Sequence, residues 1–157
     1  MAGPTRALVM RSDPVVRRET AAALGEFGLA VTEFADECHL YAHAIRLAAA
    51  PGVEPGSFII VAEPSEGVVR DLEILRGGSR RVPLVLVGPG ADPQVAGRLF
   101  AACLASEHPT GAQLRRAIDT ALALSTRRGP FATAPDARRL ISAPGYVPAG
   151  TDVAGHG

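Results

Sequence analysis

Short apolar runs alternate with longer amphipathic stretches along most of this 157-residue chain, and that alternation limits the folds open to it. The strongest run, Phe58-Ile-Ile-Val-Ala62, has no polar member. A strand of that kind has to be covered on both faces. Arg6-Ala-Leu-Val-Met10 and Val82-Pro-Leu-Val-Leu-Val87 read the same way. Leu29 to Phe34 alternates apolar and polar residues as a second strand does, and Cys103 to Ser106 is a brief fifth. Between the runs lie helices. Asp13-Pro14 pairs a capping carboxylate with a proline at the first helical position, Val15, Val16, Thr20, Ala23, Leu24 and Phe27 recur at helical spacing, and Gly25 and Gly28 mark the end. Asp36 caps a second helix over 37–50, and Val68 to Arg76 forms a third. Asp92-Pro93 opens a fourth that runs to about Ala102. Thr110-Gly-Ala-Gln113 has capping-box spacing before a fifth over 111–125. Five strand-helix units predict an α/β fold, a doubly wound parallel sheet in the order 2-1-3-4-5.

From Thr126 the character changes. Residues 126–157 hold four prolines and five glycines without a sustained period, so the expected organisation is one domain over 1–125 and a disordered tail over 126–157. Within the tail, Ala137-Arg-Arg-Leu-Ile141 reads as linker or as one docking turn.

Charge narrows the function. The 16 basic residues are all Arg and are balanced by 16 acids, so bulk positive charge for nucleic-acid binding is absent, and so is any lysine chemistry. The Arg pairs at 17–18, 80–81, 115–116, 127–128 and 138–139 are scattered and read as solvated faces. Cys38 and Cys103 are too few for a disulfide framework. No apolar run approaches the ~20 residues of a membrane span, and no segment reads as a signal peptide, so a cytoplasmic protein without membrane contact is expected.

The segments Arg6-Ala-Leu-Val-Met-Arg-Ser-Asp-Pro14, Phe58-Ile-Ile-Val-Ala-Glu63, Asp71-Leu-Glu-Ile-Leu-Arg76, Val82-Pro-Leu-Val-Leu-Val-Gly88 and His108-Pro109 stand in an order and spacing that resembles the receiver domain of two-component response regulators, a flavodoxin-like, CheY-like fold. The resemblance covers about residues 5–125. It implies a phosphoryl-accepting aspartate after the third strand, an acidic pair after the first that holds Mg²⁺, a hydroxyl after the fourth and a lysine before proline after the fifth. In this sequence the acidic-pair positions fall on Arg11 and Ser12, with Asp13 beside them as a helix cap. The acceptor falls on Glu63, or on Ala62 with a one-residue shift. The hydroxyl falls on Gly88, the lysine on His108 and the aromatic switch on Ala105. Every one of these positions departs from the family pattern, as in a degenerate pseudo-receiver. A hard cation wants several oxygen ligands, and an arginine in their place repels it. Arg11 can instead pair with Glu63 and imitate the phosphorylated state, or Glu63 is a solvated loop acid.

The resemblance implies no catalysis, metal or cofactor. It implies a phosphorylation-independent regulatory module of a bacterial cytoplasmic system with a protein partner. A homodimer can form through the face made by the fourth helix, fifth strand and fifth helix, here Arg98, Ala101, Ala102, Ala105, Glu107, Arg115 and Asp119. The alternative is a receiver still regulated by phosphate or a small ligand at the C-terminal ends of the strands, where such sheets bind ligands. Other constellations are weaker. Cys38, His39 and His43 include an i, i+4 His pair but no further ligand cluster. Gly88-Pro-Gly-Ala-Asp-Pro93 lacks P-loop spacing, and Ser65, Ser106 and His108 form no nucleophile elbow.

Overall fold

The computed structural model describes residues 4–78, 82–126 and 146–147. Its strands are β1 (Arg6–Met10), β2 (Ala30–Phe34), β3 (Phe58–Ala62), β4 (Leu84–Val87), β5 (Ala102–Leu104) and a two-residue β6 (Tyr146–Val147). Its helices are α1 (Pro14–Gly25), α2 (Glu37–Ala49), α3 (Glu66–Gly78), α4 (Pro93–Leu99) and α5 (Gly111–Thr126). The first five strands are parallel in the expected order β2-β1-β3-β4-β5, and β6 adds to the outer edge of β5.

Strand periodicity decides which side chain meets which layer. Leu8, Met10, Phe58, Ile60, Ala62, Leu84, Leu86 and Cys103 point to one face and pack with residues of α2, α3 and α4. Ala7, Val9, Ile59, Val61, Val85, Val87, Ala102 and Leu104 point to the other, under α1 and α5. Phe58, Ile60, Leu84, Leu86 and Val9 are all enclosed. Each such side chain contributes about 1.5–3 kcal/mol by leaving water.

The helix starts follow their caps. Asp13 Oδ1 accepts from the Val15 and Val16 amides, and Asp92 Oδ1 from the Gln94 amide. Thr110 and Gln113 close a reciprocal capping box before α5. The main differences lie between α4 and β5. α4 stops at Leu99, short of the expected Ala102, because Phe100 takes a left-handed conformation (φ 52°) and its amide closes back on Ala96 and Gly97. The strand therefore starts at Ala102 and ends at Leu104. The expected tail lies outside the described residues apart from Thr126, which ends α5, and Tyr146–Val147; Ala137–Ile141 and the Arg pairs at 80–81, 127–128 and 138–139 are outside them too.

Candidate functional site

Parallel strands end at one edge of the sheet, and the loops after β1, β3, β4 and β5 converge there. Met10 is opposite Ala62 in the register, so the next residues, Arg11 and Glu63, leave neighbouring strands side by side. The Glu63 amide donates to the Met10 carbonyl at 3.0 Å and fixes that placement. Ala62 is inside β3 and fully buried, so the carboxylate at this edge is that of Glu63.

Arg11 is 0% exposed. A buried guanidinium needs partners for its donors, and helix α1 and the loops after β3 and β5 supply them. Nη1 donates to the Glu107 carbonyl at 2.8 Å and to Thr20 Oγ1 at 3.2 Å. Nη2 lies 3.5 Å and Nε 3.4 Å from Glu63 Oε2. The two Glu63 contacts are long, and Nε makes no hydrogen bond, so this pair is held by charge more than by aligned bonds. The short bond to Glu63 comes from Ser12, whose hydroxyl donates to Oε1 at 2.7 Å, with the Ser12 amide at 3.3 Å. Both Glu63 oxygens are therefore engaged. Arg17 Nη1 donates to the Arg11 carbonyl at 2.9 Å, and its Nε lies 3.4 Å from Glu33 Oε1, which ties the site to β2.

Gly88 borders the pair. At φ +127° it holds a backbone that side chains rarely adopt, and a Cβ there would meet Arg11 Nη2 at 3.5 Å and Glu63 Cγ at 3.6 Å. The two remaining residues proposed for the site are elsewhere. Asp13 is taken by the cap of α1. His108 is exposed, with Nδ1 3.1 Å from Glu19 Oε1 and Nε2 3.5 Å from Glu107 Oε2. Thr20 and the Glu107 carbonyl were not foreseen as partners of Arg11. The signal for Thr20 was a hydroxyl on the buried face of a helix; a backbone carbonyl leaves no signal.

The expected partner face needs correction. Ala101 and Ala102 are buried in the core and offer no surface. The Arg115 guanidinium lies over the Phe27 ring, 4.8 Å from its centroid, so it faces the C-terminal end of α1 and not the outer edge of β5. Asp119, one turn on, shares that flank of α5. Arg98 and Glu107 are exposed and Ala105 is half-buried.

The His pair on α2 is divided between separate partners. His39 Nδ1 lies 2.7 Å from the capping Asp36, while the His43 ring packs 5.4 Å from Phe34. Among the described residues no group of three His, Cys, Asp or Glu is placed to hold a metal. Ser65 Oγ accepts the Val68 amide and starts α3. In the Gly88 loop the Ala91 amide returns to the Gly88 carbonyl, a structural turn. No helix among the described residues is long and apolar enough to cross a membrane.

No protein-family model and no curated protein matches the chain. The fold is shared by many unrelated activities, so it does not by itself identify a receiver.

Proposed function

We propose that the chain is a phosphorylation-independent regulatory module that acts through a protein partner, a receiver-like domain whose chemical pocket has become a fixed structural joint. The observation that carries this reading is the enclosed Arg11 guanidinium. Where a receiver-like site would gather anionic oxygens around a divalent cation, this chain has a permanent cation bonded to Thr20, Glu107 and Glu63. Its charge repels Mg²⁺, and both oxygens of the nearest carboxylate are already taken. The same contacts connect the loops after β1, β3 and β5 without any transferred group. No catalytic role is assigned to these residues.

The test is a titration of the full chain with Mg²⁺ and a phosphoryl analogue, followed at the backbone amides of Ser12, Glu63 and Gly88. The proposal expects no saturable change. Saturable shifts at those amides would favour a domain still regulated through this pocket.

A further inference from the structure

The Glu63 carboxylate sits in a cradle of donors built by other residues. The Ser12 hydroxyl and amide reach Oε1 at 2.7 and 3.3 Å, and Arg11 Nη2 and Nε lie 3.5 and 3.4 Å from Oε2. Gly88 forms the remaining wall, where an added Cβ would stand 3.6 Å from Glu63 Cγ and 3.5 Å from Arg11 Nη2. A guanidinium on one oxygen and a hydroxyl with an amide on the other suit a planar carboxylate. Asp13, the next acid along the chain, is turned into the cap of α1.

Glu63 fills this cradle loosely. Both distances from Arg11 are at the long limit of a hydrogen bond, and Nε, in a wholly enclosed side chain, has no bonded partner. A buried charged donor left unsatisfied is costly, so an acid that comes closer gains more than Glu63 does. The cradle is also open to solvent. Ser12 is exposed and the Glu63 side chain is 27% exposed, so Glu63 has a way out. Arg11 need not move, because Nη1 holds it to Thr20 and to the Glu107 carbonyl.

We infer that Arg11 and Ser12 form a binding site for an acidic side chain of the protein partner, and that Glu63 closes the site in cis until that carboxylate takes its place. The tether favours a protein over a free acid. Glu63 competes at the high effective concentration of an attached group, which a small acid in solution does not match, whereas an acid on a docked surface is tethered in the same way. This inference rests on the reading of the chain as a module that acts through a protein partner, and it gives that partner a contact.

The test is Glu63→Ala in the full chain with acetate as the probe, because the atoms the substitution removes are those of acetate. At neutral pH and constant ionic strength, acetate replaces chloride while the Ser12 amide and thermal unfolding are followed. The inference expects saturation with a dissociation constant on the order of millimolar. It expects a rise of several degrees in melting temperature at about 0.1 M acetate. The native chain should respond about tenfold more weakly or less, since Glu63 competes. Tetrahedral sulfate should bind the variant more weakly than acetate, and adding Ser12→Ala should weaken acetate binding. If Glu63→Ala is unfolded in chloride, acetate should refold it, as read by circular dichroism. The inference is overturned by a folded variant that responds to acetate no more than the native chain does, or by an unfolded one that acetate leaves unfolded. Sulfate binding tighter than acetate, or an acetate response unchanged by Ser12→Ala, overturns it as well. Each of these results leaves the phosphorylation-independent reading standing, since that is tested on the native chain by the Mg²⁺ titration.

Discussion

Arg11 Nε lies 3.4 Å from Glu63 Oε2, between a side chain that is wholly enclosed and one that is 27% exposed. The asymmetry sets what each substitution does. Removing the acid leaves the cation buried, whereas Glu63 itself retains access to water. Glu63→Gln keeps an acceptor for Ser12 but removes the charge opposite Arg11. The expected loss is about 1–3 kcal/mol, between a surface pair at ~0–1 and a fully buried one at ~3–5. Thermal unfolding checks it: an unchanged melting temperature would mean that the pair contributes nothing.

Gly88 borders the Arg11–Glu63 pair with a backbone that disfavours any side chain. At φ +127° a side chain is strained even though the space is adequate, since the nearest atoms sit at ordinary contact distance. Gly88→Ala and Gly88→Thr should both destabilise the domain by about 1–3 kcal/mol, mostly through the backbone. If either variant melts like the parent, the loop adapts freely and the glycine is not required.

The layers were legible in the sequence because wholly apolar runs and helical spacing report burial directly, as at Phe58–Ala62 and at the Asp13-Pro14 start of α1. The boundary between α4 and β5 was not. Leu99 to Leu104 is one continuous apolar run, and the break depends on a left-handed phenylalanine that no residue preference signals. Burial of Arg76 was also hidden, since arginine ordinarily reads as surface. Its Nε donates to the Leu99 carbonyl at the end of α4, and desolvation lowers its pKa to about 10. In the site, the meeting of Arg11 with Glu63 could be read from strand placement, because both follow paired strands. The orientation of Arg115 toward Phe27 could not, since helical spacing gives a flank but not the neighbour that covers it.

The two cysteines should separate by reactivity. Burial, assisted by the Asp92 charge, pushes the Cys103 thiol up to about 12, so almost no thiolate forms at neutral pH. Cys38 is exposed. A thiol reagent should modify one site in the folded chain and two after denaturation. Rapid labelling of Cys103 in the native chain would show that β5 opens readily.

His43 gives a defined pH dependence. Desolvation, then the charges of Arg46 and Arg6, hold its folded pKa below the ordinary 6.5. Between those two values the unfolded chain binds the proton and the folded chain does not. Its contribution to stability is therefore full above pH 6.5, falls as the pH drops toward the folded value, and levels off below it. His43→Gln should flatten the melting profile in that interval. An unchanged profile would place the dependence on other groups.

The most direct measurement of the central claim is the intact mass of the full chain after incubation with a small phosphodonor and Mg²⁺. With Arg11 enclosed at the edge of the sheet and both Glu63 oxygens engaged, the account predicts no gain of mass. A stable gain of one phosphate, lost on substitution of Glu63 or Asp13, would contradict it.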